Sequence, residues 1–373
     1  MNYGNSLRGV PFGEKMFSIA SRLGCTGPYG DSARILARAR AVYQFIAEIT
    51  VDMCESRVTA KLEQISADEQ AAITLLRDPV MRRAFDRVRE SMAGSESVDW
   101  GAFASEIQVS SQPSEGIESQ LATDVGFHLL KDTAETSPWV SAFHEVAREG
   151  LTLPESEENY RFLSARRGDY DSAEQACSFL HRYAPDLWQS ARLHVAYLAV
   201  TEHSEPGFVA GSTRLVPATI FIARPTLTAD VLISAEAILH EAVHNKLYDL
   251  QVTHALFKPQ DEIGDDLVRP EWHQGRVAWK FNHAFAAFHV YAHLAAFYMG
   301  LLFRRQHGGG EELRELAHAD TLIESTERCV DRARLLQRDL APLCEGYAGS
   351  SGKSMFTWLS GVLNDLHELR RAA

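Results

Sequence analysis

Two runs of β-branched and apolar residues set the fold class, because the chain's other periodic segments repeat at helical spacing. RLHVAYLAVTEH, from Arg192, and RLVPATIFIARP, from Arg214, have the length and composition of strands. Elsewhere apolar residues recur three and four apart, the pattern of an amphipathic helix with one buried face. So few strands cannot close a double-stranded β-helix. The expected fold is α+β, mainly α, with a helical N-terminal region and a small β-sheet beside a later helix.

Within the N-terminal region, Asp31 and Ser32 are cap candidates ahead of Ile35, Leu36, Val42, Phe45, Ile46 and Ile49, spaced for one helix. Ser66 and Glu69 have the capping-box spacing, in which each side chain satisfies an amide of the first turn, ahead of Ile73, Leu76, Met81 and Phe85. The polar stretch SSQPSEG, residues 110–116, breaks this regime and reads as a domain boundary or a surface loop. The division expected is 1–112, a helical region suited to substrate recognition, and 113–373. Further helices are expected at about 229–250, 275–305, 311–343 and 354–371, with Gly308, Gly309 and Gly310 as one stop.

A chain of 373 residues is expected to hold about two domains at roughly 150 residues each. The charge balance is 37 Lys and Arg against 50 Asp and Glu, a net −13, which argues against a nucleic-acid partner because phosphates demand a cationic surface. The N-terminal MNYGNSLRGVPFGEKMF lacks a basic start followed by an apolar core, so no secretory signal is expected, and no apolar run is expected to reach membrane-spanning length. Five scattered cysteines without a CxxC pair read as reduced thiols, which suits a cytoplasmic protein with no membrane partner.

The chemistry is concentrated in ILHEAVHNKL. His240 and His244 are four apart, so on a helix both imidazoles project from one face and can share a metal ion. Glu241 between them completes HExxH, while Leu232, Leu239, Val243, Leu247 and Leu250 supply a buried side. A third protein ligand is needed. The extended metzincin pattern would place Gly at 247 and His at 250, and leucines there exclude it. Glu262 and Glu271 lie in a loop-like stretch with Asp265, Asp266 and Pro270 and remain candidates. The segment GRVAWKFNHAFAAFHVYAHLAAFY offers His283, His289 and His293. At about 100° per residue, His283 and His289 point to different sides of a helix. His289 and His293 can pair, or can be packed core histidines. Arg276, Lys280 and His283, spaced by four and then three, would form a cationic stripe that suits an anionic ligand or simply reaches solvent.

From about Arg192 onwards the chain resembles the HExxH-motif enzymes associated with ribosomal peptide modification, described as iron- and 2-oxoglutarate-dependent β-hydroxylases. The resemblance rests on ILHEAVHNKL, on VPATIFIARP before it, and on Val268-Arg269-Pro270 followed by Asn282-His283-Ala284-Phe285. In that family the downstream histidine is commonly followed by glycine, where this chain has Ala284. The resemblance implies a metal site of His240, His244 and His283 holding Fe(II), with 2-oxoglutarate as cosubstrate and dioxygen as oxidant. It implies hydroxylation of an unactivated β carbon on a peptide residue or amino-acid-like small molecule, in natural-product biosynthesis. The distal carboxylate of 2-oxoglutarate would need a fixed cation, with Arg276 first, then Lys280, then Arg269, because a guanidinium binds a carboxylate through two parallel hydrogen bonds.

Glu241 divides this reading from its rival. In a zinc metallopeptidase it is the general base that activates water; in the oxygenase it orients a ligand or substrate. Two other features read as structural. AGSSGKS, from Ala348, lacks the first glycine of a phosphate loop, which falls at Tyr347, and is expected to be a turn into the last helix. Arg328, Arg332, Arg334 and Arg338, interleaved with Glu324, Glu327, Asp331 and Asp339, read as a solvated, ion-paired helix face.

Overall fold

Asp230 starts the helix that carries HExxH, its carboxylate accepting the Leu232 N–H at 2.8 Å, and the helix then runs Val231–Thr253. The computed structural model describes residues 12–54, 56–94, 97–110, 128–130, 137–151, 160–203, 209–258, 267–273, 277–307 and 310–372. The described elements are mainly helical, with one small mixed sheet. The α+β, mainly α class expected from the sequence is therefore what the chain adopts.

The chain divides into two compact units, and neither is a continuous stretch: one holds 33–178 and 192–249, the other 1–32, 179–191 and 250–373. The described residues on both sides of 112 belong to the first unit, so the chain does not divide there; residues 111–127 lie outside the described ones.

In the first unit the sheet comprises β1 (His128–Leu129), β2 (Tyr160–Phe162), β3 (Tyr197–His203), β4 (Ala210–Thr213) and β5 (Val216–Ala223). Its order is β1-β3-β5-β4, with β2 also antiparallel to β3. β3 and β5, the two expected strands, pair parallel with Tyr197 opposite Thr219. Every residue of β5 is buried, as expected of a parallel strand covered on both faces. Trp139 and Phe143 of the helix Pro138–Leu151 stack at 5.4 Å, and Phe143 lies 6.3 Å from Phe221 of β5, in a core shared with Val80, Val140 and Val216. β4 escapes a sequence reading because its four residues, Ala-Gly-Ser-Thr, have no apolar alternation.

Two N-terminal expectations need correction. Ser66 does not cap a helix, because the helix Ser56–Ala67 continues through it and its hydroxyl donates to the Glu63 carbonyl at 2.9 Å. Asp68, in an extended conformation, is the cap, accepting from Gln70 N at 3.0 Å. The single helix expected through Ile73 and Phe85 is two, Glu69–Arg77 and Pro79–Ala93. Asp78 stops the first, and its carboxylate takes the Val80 and Met81 N–H groups of the second, where Pro79 sits at a position that needs no N–H. In the helix Ser32–Thr50 the buried face is Ile35, Ala39, Tyr43 and Ile46, leaving Phe45 54 % and Ile49 40 % exposed. Tyr43 turns that face inward, donating to Asp86 at 2.8 Å and accepting from Arg82 at 3.2 Å.

The second unit is built around the helix Phe281–His307, against which Phe12–Gly24, Ala319–Leu340 and Ser350–Ala372 pack. Phe281–His307 is long and apolar enough to cross a membrane, with a mean hydropathy of 1.4 over 18 residues, contrary to the expectation that no segment reaches that length. Its best window is 78 % buried in the protein, where it serves as the core helix. The helix expected at 311–343 is instead Gly310–Leu316 and Ala319–Leu340. The AGSSGKS segment is the first turn of Ser350–Ala372, entered from a bridge between Phe257 and Ala348. A Cβ on Gly352 would lie 1.9 Å from the Leu256 carbonyl oxygen, so close backbone packing accounts for a glycine there. On the arginine-rich face Arg338 pairs with Asp339 at 2.8 Å as expected, whereas Asp331 is taken by Arg370 of Ser350–Ala372 at 2.8 Å, Arg334 is set against the His367 ring and Arg328 donates to the Ser325 hydroxyl. Arg332 differs, lying over the rings of Trp272 and Tyr291 and donating to the Tyr291 hydroxyl. None of the five cysteines is disulfide-bonded.

Candidate metal centre

β5 delivers the chain to the HExxH helix through a single turn, Arg224–Leu227, held by Arg224 on Asp169 at 3.0 Å. The leucine and valine side expected from the sequence is buried: Leu239, Val243, Leu247 and Leu250 are fully enclosed and Leu232 nearly so. Asn245 donates from its side chain to the Thr219 carbonyl of β5 at 3.1 Å, which fixes the rotation of the helix on the sheet.

That rotation sets His240 and His244 on one face, their ring centroids 5.1 Å apart. His240 leaves 31 % of its side chain open, and the protein around it strips enough hydration to lower its pKa to about 4, so the ring is neutral with a lone pair available to a metal. Glu241 is buried, 6 % exposed, with one carboxylate oxygen 3.8 Å from His240 Nε2 and the other accepting the Ser212 hydroxyl at 2.7 Å. Desolvation raises its pKa to about 7, and the Ser212 hydrogen bond opposes that rise. Tyr248, one turn beyond His244, stacks with it at 6.2 Å and donates to the Ser212 carbonyl at 3.2 Å. Ser212 of β4 thus engages both Glu241 and Tyr248.

Ser212 and Tyr248 are additions that the motif alone does not reveal. Tyr248 was within reach of the sequence, since it continues the spacing of His240 and His244 by four. Ser212 was not, because only the β4–β5 hairpin brings it to the helix.

The remaining candidates are placed differently. His283 lies in the second unit, exposed and stacked on Trp279 at 5.3 Å, with its pKa lowered by desolvation. The expected stripe does not form on a helix: the helix starts at Phe281, Lys280 precedes it exposed, and Trp279 is in a bridge with Val268. The physical reason is that Val268 and Trp279 exchange backbone hydrogen bonds at 2.8 Å, holding the chain extended where a helix would have begun. Arg276 falls outside the described residues, as do Glu262, Asp265 and Asp266. Arg269 is exposed, and Glu271 is engaged by Arg338 at 2.8 Å. His289 and His293 are buried in the core helix with rings 4.4 Å apart, and His293 Nδ1 lies 2.8 Å from the His289 carbonyl.

Two neutral-capable imidazoles on one helix face, with a carboxylate between them, fit a divalent transition metal by donor chemistry. Among the described residues, no group of three or more His, Cys, Asp or Glu side chains is gathered for a metal. No protein-family model matches the chain, and no curated protein matches it in sequence.

Proposed function

We propose that the protein is a cytoplasmic, iron- and 2-oxoglutarate-dependent oxygenase that hydroxylates an unactivated carbon of a peptide residue or amino-acid-like substrate in natural-product biosynthesis. The observation that carries a metal-dependent reading is the pair His240 and His244 on one face of a helix locked to the sheet, with Glu241 buried between them. The oxygenase choice rests on the resemblance of that motif and its flanking segments. Bound Fe(II) would supply the activation of dioxygen, chemistry that no side chain performs.

The chain's own groups do the rest. His240 and His244 each present an imidazole nitrogen. Glu241, bonded to Ser212 and near His240 Nε2, orients that imidazole, the part an outer carboxylate plays toward a metal-bound histidine. Tyr248, stacked on His244 and donating to the Ser212 carbonyl, ties that side of the histidine face to β4.

A second reading is favoured by the same carboxylate. A glutamate one residue after the first histidine, with an oxygen 3.8 Å from its Nε2, is also where the general base of a zinc metallopeptidase stands.

One experiment separates the two. Prepared without oxygen and given Fe(II), the full chain is expected to develop visible absorption on adding 2-oxoglutarate, whereas zinc, being d¹⁰, gives none. His240→Ala and His244→Ala each lose iron and absorption, and Glu241→Gln keeps the absorption. His283→Ala tests the third ligand: iron is lost if His283 binds it and retained if it does not. Copurified zinc, indifference to 2-oxoglutarate and peptide cleavage abolished by Glu241→Gln would establish the hydrolase instead.

A further inference from the structure

One residue of the sheet holds the groups that stand beside both motif histidines. Glu241 and Tyr248 are seven residues apart, which at about 100° per residue puts them within about 20° of one line along the helix. That line meets β4 at Ser212. The Ser212 hydroxyl donates to one Glu241 oxygen at 2.7 Å, and the other oxygen lies 3.8 Å from His240 Nε2. The Ser212 carbonyl accepts the Tyr248 hydroxyl at 3.2 Å, and the Tyr248 ring lies nearly parallel to that of His244, at 16° with centroids 6.2 Å apart. The side chain of Ser212 thus serves the His240 end of the motif and its backbone the His244 end.

The strand is irregular at this residue. Gly211 pairs with Phe221 and Thr213 with Val216, so the register shifts across Ser212 and sets it against the whole stretch 217–220 of β5. Pro217 has no N–H to give the ladder, and Ala218 has φ 57°, a left-handed conformation that a residue with a Cβ adopts at a cost. Irregularities of this kind on an edge strand re-aim a side chain, and β4 is an edge of the sheet. Thr219, in the same stretch, accepts from Asn245 of the HExxH helix at 3.1 Å, which ties the irregular stretch to the helix it serves.

We propose that Ser212 is a positioning residue of the candidate metal centre: its hydroxyl fixes the Glu241 carboxylate toward His240, and its carbonyl, through Tyr248, fixes the plane of His244. The inference rests on the metal reading of His240 and His244. It holds for iron and zinc alike, because it concerns how the ligands are held and not which reaction follows. Groups that orient metal-bound histidines are typically worth about ten- to a hundredfold in metal affinity.

The test is the zinc affinity of the full chain, measured against a chromophoric chelator, with the visible spectrum of bound cobalt(II) as a second readout. The wild type is expected to bind one metal ion per chain. Ser212→Ala should bind zinc about ten- to a hundredfold more weakly and shift the cobalt bands. Ser212→Thr, which keeps a hydroxyl, should bind as the wild type does, and Ser212→Val should be as weak as Ser212→Ala. Threonine and valine share shape and strand preference, so their comparison decides the point even where alanine loosens the hairpin. In a Glu241→Ala background Ser212→Ala should cost nothing further, the signature of acting through that carboxylate, and Tyr248→Phe should shift the cobalt bands. Equal zinc affinity of Ser212→Thr and Ser212→Val, the full loss persisting in the Glu241→Ala background, or cobalt bands unchanged in Tyr248→Phe would overturn the assignment and leave the metal reading standing. A wild type that takes up neither zinc nor cobalt overturns the metal reading, and the assignment falls with it.

Discussion

Asp249 is the buried carboxylate on which Arg82 and His194 converge. It is buried between Arg82 and His194, and Arg82 also donates to Tyr43, which donates to Asp86. Burial alone would disfavour the carboxylate, but the Arg82 charge and the His194 hydrogen bond outweigh it and hold its pKa below the usual range. Desolvation lowers His194, so the ring stays neutral and donates from Nδ1. Asp249→Asn is expected to cost about 3–5 kcal/mol, because it leaves the Arg82 guanidinium buried without its countercharge; urea unfolding measures it. The pH dependence follows from the same shifts. Both folded pKa values are depressed, so the unfolded chain takes up protons that the folded one refuses as pH falls. Stability from His194 is present above about 6.5 and lost below it, and that from Asp249 is lost below about 3.9. The urea midpoint should therefore fall between pH 7.5 and pH 5, and by less in His194→Gln than in the wild type. An identical fall in both would show that His194 does not titrate in this way.

At the scale of elements, Asp78 and Pro79 decide where one helix ends and the next begins. Asp78 accepts from Val80 N at 2.9 Å, Met81 N at 3.0 Å and the Trp139 indole at 3.2 Å. Removing it as Asp78→Ala strips a cap and orphans a buried indole N–H, an expected loss of about 2 kcal/mol in unfolding free energy. Asp78→Asn, which keeps one acceptor oxygen, should recover part of it. Equal stability of Asp78→Ala and the wild type would show that water replaces the cap. The Asp-Pro pair was readable as a helix start, yet an apolar periodicity that runs on through it masks the break. In the HExxH helix, period and packing agree: every residue of the expected buried side is buried.

The two units alter what truncation can do at the scale of the molecule. Residues before 112 are not an appendage, because Val80 of the helix Pro79–Ala93 shares a core with Val216 and Phe221 of β5, and Arg82 is paired with Asp249. A chain of 113–373 is accordingly expected to lose cooperative thermal unfolding by circular dichroism, since the sheet would expose that core and leave Asp249 without its arginine. A cooperative melt near that of the full chain would contradict this. A role in substrate recognition for the N-terminal region is therefore better sought by point substitution than by deletion.

Local pattern alone determined the mainly helical class, the two long strands, and the HExxH helix with both its faces. Each depends on residues within a few positions of one another, and helical and strand periods are local properties. Tertiary structure decided the rest. Ser212 reaches Glu241 only through a hairpin 29 residues upstream. The Arg276, Lys280 and His283 spacing promised a stripe, but a bridge from Val268 to Trp279 keeps the helix from starting before Phe281. The same holds for the boundary expected near 112. It failed because the Pro79–Ala93 helix finds its apolar partner in β5, well over a hundred residues later, and burial is decided by what lies opposite in space.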